Sequence, residues 1–159
     1  MISAASIREQ LVRFAARHPT DVDALEAMRS LLDRVAEPCA RQTFDPGHFT
    51  ASACVLSPSG EELLPVHQAK LDRWLQPGGH IEAGDSSLLA AARREVAEEC
   101  GVEPLLPEGA TAAPIDLDVH AIPARGSEPR HHHFDVRYAF VVDPGAAVRC
   151  SAESHAVRW

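Results

Sequence analysis

The sequence predicts an α/β (α+β) protein in which two N-terminal helices precede a mixed β-sheet, and three observations carry that expectation. Apolar residues recur at helical spacing before residue 43; short alternating stretches bounded by turn residues follow from Phe44 onward; and one strong helical stretch, Ser86 to Cys100, interrupts them. The 159 residues, 45% hydrophobic and 24% charged, suffice for one packed core. We therefore expect residues 1–43 to form a helical extension packed on a main domain of residues 44–159.

Ile7, Leu11 and Phe14 recur at i, i+4 and i+7, and His18-Pro19 stops the run because proline cannot supply a helical N–H. A second helix, with Thr20 as its cap, carries Leu25, Met28, Leu31, Leu32 and Val35 on one stripe and is closed by Pro38. Phe49 to Leu56 reads as a strand ending in the turn cluster Ser57-Pro58-Ser59-Gly60, after which Leu63 to His67 is placed to pair back as a hairpin. The helix from Ser86 ends at Gly101, the usual left-handed cap. Ile115, Leu117 and Val119 then alternate with Asp116, Asp118 and His120, as in a half-buried strand. In the last clear strand Phe134, Val136, Tyr138, Phe140 and Val142 share one face, and His133, Asp135 and Arg137 the other.

A formal charge of −8 gives no attraction to phosphate polymers or anionic lipid, so nucleic acid and membrane are not expected as partners. Carboxylates that hold divalent cations can still receive a small phosphorylated molecule. Four separated cysteines without a C-x-x-C pair predict reduced thiols, and the N-terminal residues read as neither signal peptide nor membrane span, which predicts a cytoplasmic location.

Chemistry concentrates in the glycine-rich stretch Pro77-Gly78-Gly79-His80-Ile81-Glu82-Ala83-Gly84-Asp85 and the helix it enters. At 100° per residue, Glu95, Glu98 and Glu99 fall within a sector of about 100°, beside an apolar stripe of Leu89, Ala92, Val96 and Cys100. Like charges at i+3 and i+4 repel by a few tenths of a kcal/mol each, and a divalent metal is the natural counterweight. Mg²⁺ favours hard oxygen ligands and bridges carboxylates to phosphates. The Gly78-Gly79 turn can bring a backbone carbonyl to the same place, and Arg94 can pair with Asp85 or Glu82 to fix the loop against the helix. Taken alone, an E-x-x-E-E run is more often a solvated acidic face; the loop, the arginine and the terminal glycine reverse that preference.

The segment Gly79 to Val102 resembles the Nudix box, G-x5-E-x7-R-E-U-x-E-E-x-G-U with U aliphatic. Gly79, Arg94, Glu95, Val96, Glu98, Glu99, Gly101 and Val102 match by type. Asp85 stands in place of the first Glu, and eight residues rather than seven separate it from Arg94; the extra residue falls at the helix start, where a longer loop absorbs it. Gly47-His48-Phe49-Thr50-Ala51-Ser52, Lys70 to His80, Asp118-Val119-His120 and the His-x-Phe-Asp-Val-Arg segment are similar to a bacterial Nudix subgroup with an N-terminal helical extension. The resemblance implies an α/β/α sandwich around the mixed sheet. It also implies a final helix past the Arg158-Trp159 position, where this sequence stops, which leaves apolar surface for a homodimer partner.

By the same resemblance the expected activity is hydrolysis of a nucleoside diphosphate linked to another group, with water attacking phosphorus and Mg²⁺ or Mn²⁺ as cofactor. Glu98 and Glu99 are implied as principal metal ligands, Glu95 as a shared ligand or base, the Gly78 carbonyl as a further ligand, and Arg94 as the residue that orients Glu95. Glu153 is the candidate for an additional metal-binding acid, with Glu128 as the alternative. Arg73, His80, His120, His133 and Arg137 are candidate substrate contacts, with Lys70 beside them; Gly79, Asp85 and Gly101 are expected to hold the motif's shape. Two other readings stand beside this one. A non-catalytic nucleotide sensor would normally lack some of the three glutamates, and a histidine-rich transition-metal protein would use His120 with His131, His132 and His133.

Overall fold

The computed structural model describes residues 2–143, 145–152 and 154–159. Helix α1 spans Ala4–Ala15, with the Ser3 hydroxyl accepting from the Ser6 N–H at 3.1 Å. Its buried residues are Ile7, Leu11 and Phe14, the spacing read from sequence. Helix α2, Asp23–Arg34, buries Leu25, Met28, Leu31 and Leu32. Thr20 is not its cap: the N-cap is Val22, without a side-chain hydrogen bond, and Asp23 and Glu26 place negative charge in the first turn instead. Both helices pack into the same apolar cluster as the strands that follow.

Four strands form the main sheet: β1 (Gly47–Leu56), β4 (Gly78–His80), β5 (Asp116–Ile122) and β6 (His131–Val141), in the order β4-β1-β6-β5. β1 and β6 are parallel along their whole ladder, from Gly47↔His132 to Leu56↔Val141, whereas β4 and β5 run antiparallel to their neighbours. The smaller sheet has the order β3-β2-β7, from β3 (Arg73–Leu75), β2 (Val66–Gln68) and β7 (Ser154–Val157). The expected hairpin after β1 is reduced to the bridge Leu56↔Leu63 and the bond from Leu64 N–H to Val55 O; the chain then leaves the main sheet to build the second one.

Helix α3 spans Leu88–Cys100 and packs against β1, β4 and β6. Ser87 caps it through the Ala90 N–H, and Gly101 ends it at φ 68°, the left-handed conformation a side chain would oppose. Arg94 to Cys100 lie in one unbroken helix that starts after the Ser87 cap. Period-2 alternation along β1 and β6 makes the main sheet two-faced. Phe49, Ala51, Ala53 and Val55 with Phe134, Val136, Tyr138 and Phe140 form the apolar face; His48, Thr50 and Ser52 lie beside His133, Asp135 and Arg137 on the polar one. Among the described residues no helix is long and apolar enough to cross a membrane.

Candidate active site

The polar face of the sheet, β4 and α3 enclose a cleft of about 610 Å³, within the range of small-molecule sites. Arg94 organises its rim. The Nε and one terminal nitrogen donate to the two Asp85 oxygens at 3.1 and 3.0 Å, and that same terminal nitrogen donates to the His80 carbonyl at 2.9 Å. The other terminal nitrogen donates to Glu95 and Glu98, both at 2.9 Å, while Glu82 stands off at 4.0 Å. One guanidinium thus ties the loop, strand β4 and the helix together. Asp85 is buried and also accepts from the Glu82 N–H at 2.8 Å. Burial works against its ionisation, but the bonds from Arg94 and Glu82 outweigh it and hold the carboxyl below its usual range. The shorter acid at position 85 therefore fulfils the expected loop contact.

The three glutamates are graded in exposure. Glu99 is buried and accepts from the Gly78 N–H at 2.9 Å; Glu95 is half-buried; Glu98 reaches solvent. Burial pushes the Glu95 carboxyl up to about 6, with Arg94 opposing and Glu98 and Glu82 adding. Because the Pro77 carbonyl bonds to Ala53 on β1, the alternation of an antiparallel ladder turns the N–H and carbonyl of Gly78 away from β1, toward α3. Close approach requires glycine at position 78, where a Cβ would lie 2.7 Å from the Ser52 Cα; at Gly79 it would lie 2.7 Å from a Glu95 carboxylate oxygen and displace that carboxylate. Glutamate carboxylates and a backbone carbonyl form a hard oxygen donor set, so the residues present fit Mg²⁺ or Mn²⁺.

Gly78, Gly79, His80, Arg94, Glu95, Glu98, Glu99, His120 and His133 all line the cleft, as do Gln68 and Lys70 from the loop around β2. Other candidates lie elsewhere. Arg137 is committed to Asp116 and to Asp135, the latter at 3.4 Å, and borders a second cavity rather than this cleft. Alternation alone placed it on the polar face, but two carboxylates on that face hold it down. Arg73 is exposed on β3, outside the cleft lining. Glu128 is paired with Arg41 at 2.8 Å, and Glu153 lies outside the described residues. His120, within the cleft lining, is bonded to Asp118 at 2.8 Å. The run His131-His132-His133 does not act as one patch. Alternation along β6 turns His132 to the opposite side, where its ring meets Phe134, while His131 and His133 turn inward.

His48, on β1, was not read as a site residue, and it is fully buried. Its ring lies 4.9 Å from that of His133 and 5.2 Å from that of His80, and the His80 and His133 rings are 5.2 Å apart. Burial, reinforced by each other's proximity, holds His80 down to about 4 and His133 to about 3, so these imidazoles are neutral near pH 7. The signal that could have found His48 is its alternation with Thr50 and Ser52, which marks a polar face in a strand otherwise apolar. Asp135 was likewise overlooked: it is buried at the centre of this face and accepts from Thr50 at 3.0 Å and from Ser52.

No curated protein matches the sequence significantly. Among solved structures, a NUDIX-family hydrolase from Clostridium perfringens is similar at 20% identity and TM-score 0.50, covering 70% of this chain and 79% of that one. The dihydroneopterin triphosphate pyrophosphohydrolase of E. coli is similar at 14% identity and TM-score 0.50, covering 70% and 78%. At such identities the likeness is one of fold. The family itself is fixed by sequence: the NUDIX domain profile matches residues 47–159, a span that begins at β1 and contains the glycine loop, Arg94 and all three cleft glutamates, and the chain belongs to that family.

Proposed function

We propose that the protein is a Mg²⁺- or Mn²⁺-dependent pyrophosphohydrolase acting on a small nucleoside diphosphate linked to another group, with the helices before residue 44 serving as a packed extension. The observation that carries this reading is the convergence of Glu95, Glu98, Glu99 and the Gly78 backbone at one wall of the cleft, tied down by the Arg94–Asp85 pair. Glu98 and Glu99 would hold the metal together with the Gly78 carbonyl, and a metal bound there supplies positive charge to the phosphoryl oxygens. Glu95, held near 6 and in hydrogen-bond contact with Arg94, is suited to take the proton of the attacking water. As the water oxygen bonds to phosphorus, the anhydride P–O bond breaks and its electron pair leaves with the departing phosphate. His80, His120 and Lys70, on other walls of the cleft, are placed to meet the rest of the substrate. The purely sensing alternative has no observation in its favour, since each carboxylate of the array is present and oriented.

The test is a panel of nucleoside triphosphates, nucleoside diphosphate sugars and dinucleoside polyphosphates, incubated with untagged protein and Mg²⁺ or Mn²⁺. We expect a metal-dependent phosphorylated product from at least one class, with the rate reduced at least ~100-fold by Glu98→Gln. Folded protein that turns over nothing in the panel would favour the sensor.

A further inference from the structure

We propose that His48, His80 and His133 form a second metal site, for a transition ion of the zinc class, on the cleft wall and separate from the glutamate array. Three strands bring these residues together: β1 supplies His48, β4 His80 and β6 His133. One ring nitrogen from each lies within 4.8 Å of the other two. Zn–N bonds of 2.0–2.1 Å in tetrahedral geometry set ligand nitrogens about 3.4 Å apart, so modest ring rotations close the site.

The hydrogen bonding of the rings points the same way. The His48 Nδ1 lies 3.0 Å from the Thr43 carbonyl, and a carbonyl can only accept, so the proton sits on Nδ1 and the lone pair on Nε2. That Nε2 is buried without a partner, in a residue with no exposed surface, and the His133 Nε2 is buried without a partner as well. A buried nitrogen left unpaired is costly, and two in one cluster call for a shared electrophile. A backbone carbonyl that fixes the tautomer while the other nitrogen faces a common centre is the usual outer contact of a metal-bound histidine. Behind it His131 is 5.2 Å from the His48 and His133 rings, and its Nδ1 is engaged by the Pro129 carbonyl at 2.8 Å. Arg41, whose charge acts on His48 and His80, is paired with Glu128 at 2.8 Å.

Donor chemistry separates this cluster from the glutamates. Imidazole nitrogens suit Zn²⁺, Co²⁺, Ni²⁺ and Cu²⁺, whereas Mg²⁺ prefers oxygen. Three histidines leave a fourth position open, the pattern of zinc sites that bind water or an exchangeable ligand. His80 and His133 line the cleft, so that position opens toward whatever molecule the cleft holds. The inference does not depend on the proposed hydrolysis.

It is tested with untagged, chelator-stripped protein in which Glu98→Gln and Glu99→Gln disable the carboxylate array. Co²⁺ is the probe, because its visible d–d bands report nitrogen ligation and four-coordination. We expect one equivalent of Co²⁺, displaced by Zn²⁺ but not by Mg²⁺, with affinity lowered at least ~10-fold by His133→Gln and by His80→Gln while circular dichroism is unchanged. If His133→Gln unfolds, His80→Gln, on the short strand β4, decides. Absence of bound Co²⁺ at millimolar concentration, or binding indifferent to the histidine substitutions, overturns the proposal.

Discussion

Arg94 shows how much of the cleft depends on one side chain. It bonds at once to Asp85, Glu95, Glu98 and the His80 carbonyl, and Asp85 is 6% exposed. Removing the guanidinium leaves a buried carboxylate uncompensated, a loss of roughly 3–5 kcal/mol. Lysine keeps the charge but cannot reproduce the fork. Arg94→Lys should therefore cost about 2 kcal/mol in urea denaturation, and a double-mutant cycle with Asp85→Asn should show coupling well above 0.5 kcal/mol. The Arg94–Asp85 contact was legible in sequence because loop and helix are contiguous there. The bond between Glu99 and the Gly78 N–H was not, since it depends on which way a three-residue strand turns its amides. His48 escaped for a related reason: only the pairing with β6 reveals that it is walled in by other histidines.

Among the elements, those with long periodic patterns were the readable ones. α1, α3, β5 and β6 lie within a few residues of their expected positions because each repeats its pattern over at least seven residues. β2, β3 and β4, of three residues each, are too short to show a period and exist only through their neighbours, so a local hairpin was expected where a second sheet forms. The N-terminal helices belong to the same core: Phe14 has no exposed surface and stacks on His18 with ring centroids 4.5 Å apart. Phe14→Ala should destabilise the protein by about 3–5 kcal/mol. Monitored by tryptophan fluorescence, through Trp74 and Trp159 far along the chain, the loss should appear as a shift of a single cooperative transition. A separate early transition would show the helices to fold on their own.

At the level of the whole molecule, the net charge of −8 masks a local order: the cleft sets carboxylates on one wall and neutral imidazoles on another. The pH dependence of the chelator-treated protein follows. His80 and His133 are held to about 4 and about 3, below the 6.5 of an unfolded chain. Their depressed values give stability that is complete above pH 6.5 and is lost as the pH falls below it. Glu95, raised to about 6 from 4.5, takes up a proton in the fold and opposes that loss below pH 6. The histidines outweigh it, so stability should fall by about 2 kcal/mol between pH 7 and 5.5, read from denaturation midpoints at several pH values. The acid wall was legible from the spacing of Glu95, Glu98 and Glu99 along one helix, whereas the imidazole wall was not, because its histidines are gathered from three strands.

The parallel ladder of β1 on β6 also sets the order in which the molecule can acquire its form. Thr50 and Asp135, bonded to each other at its centre, stand 85 positions apart in the chain. During synthesis, β1 leaves the ribosome with its main partner still unmade, and the nitrogen-lined wall cannot close until β6 follows with His133. Pairing so distant in sequence slows folding relative to domains held by local contacts. A nascent chain halted before His131 would leave the β6 side of β1 an unpaired backbone edge, the state most in need of protection from aggregation.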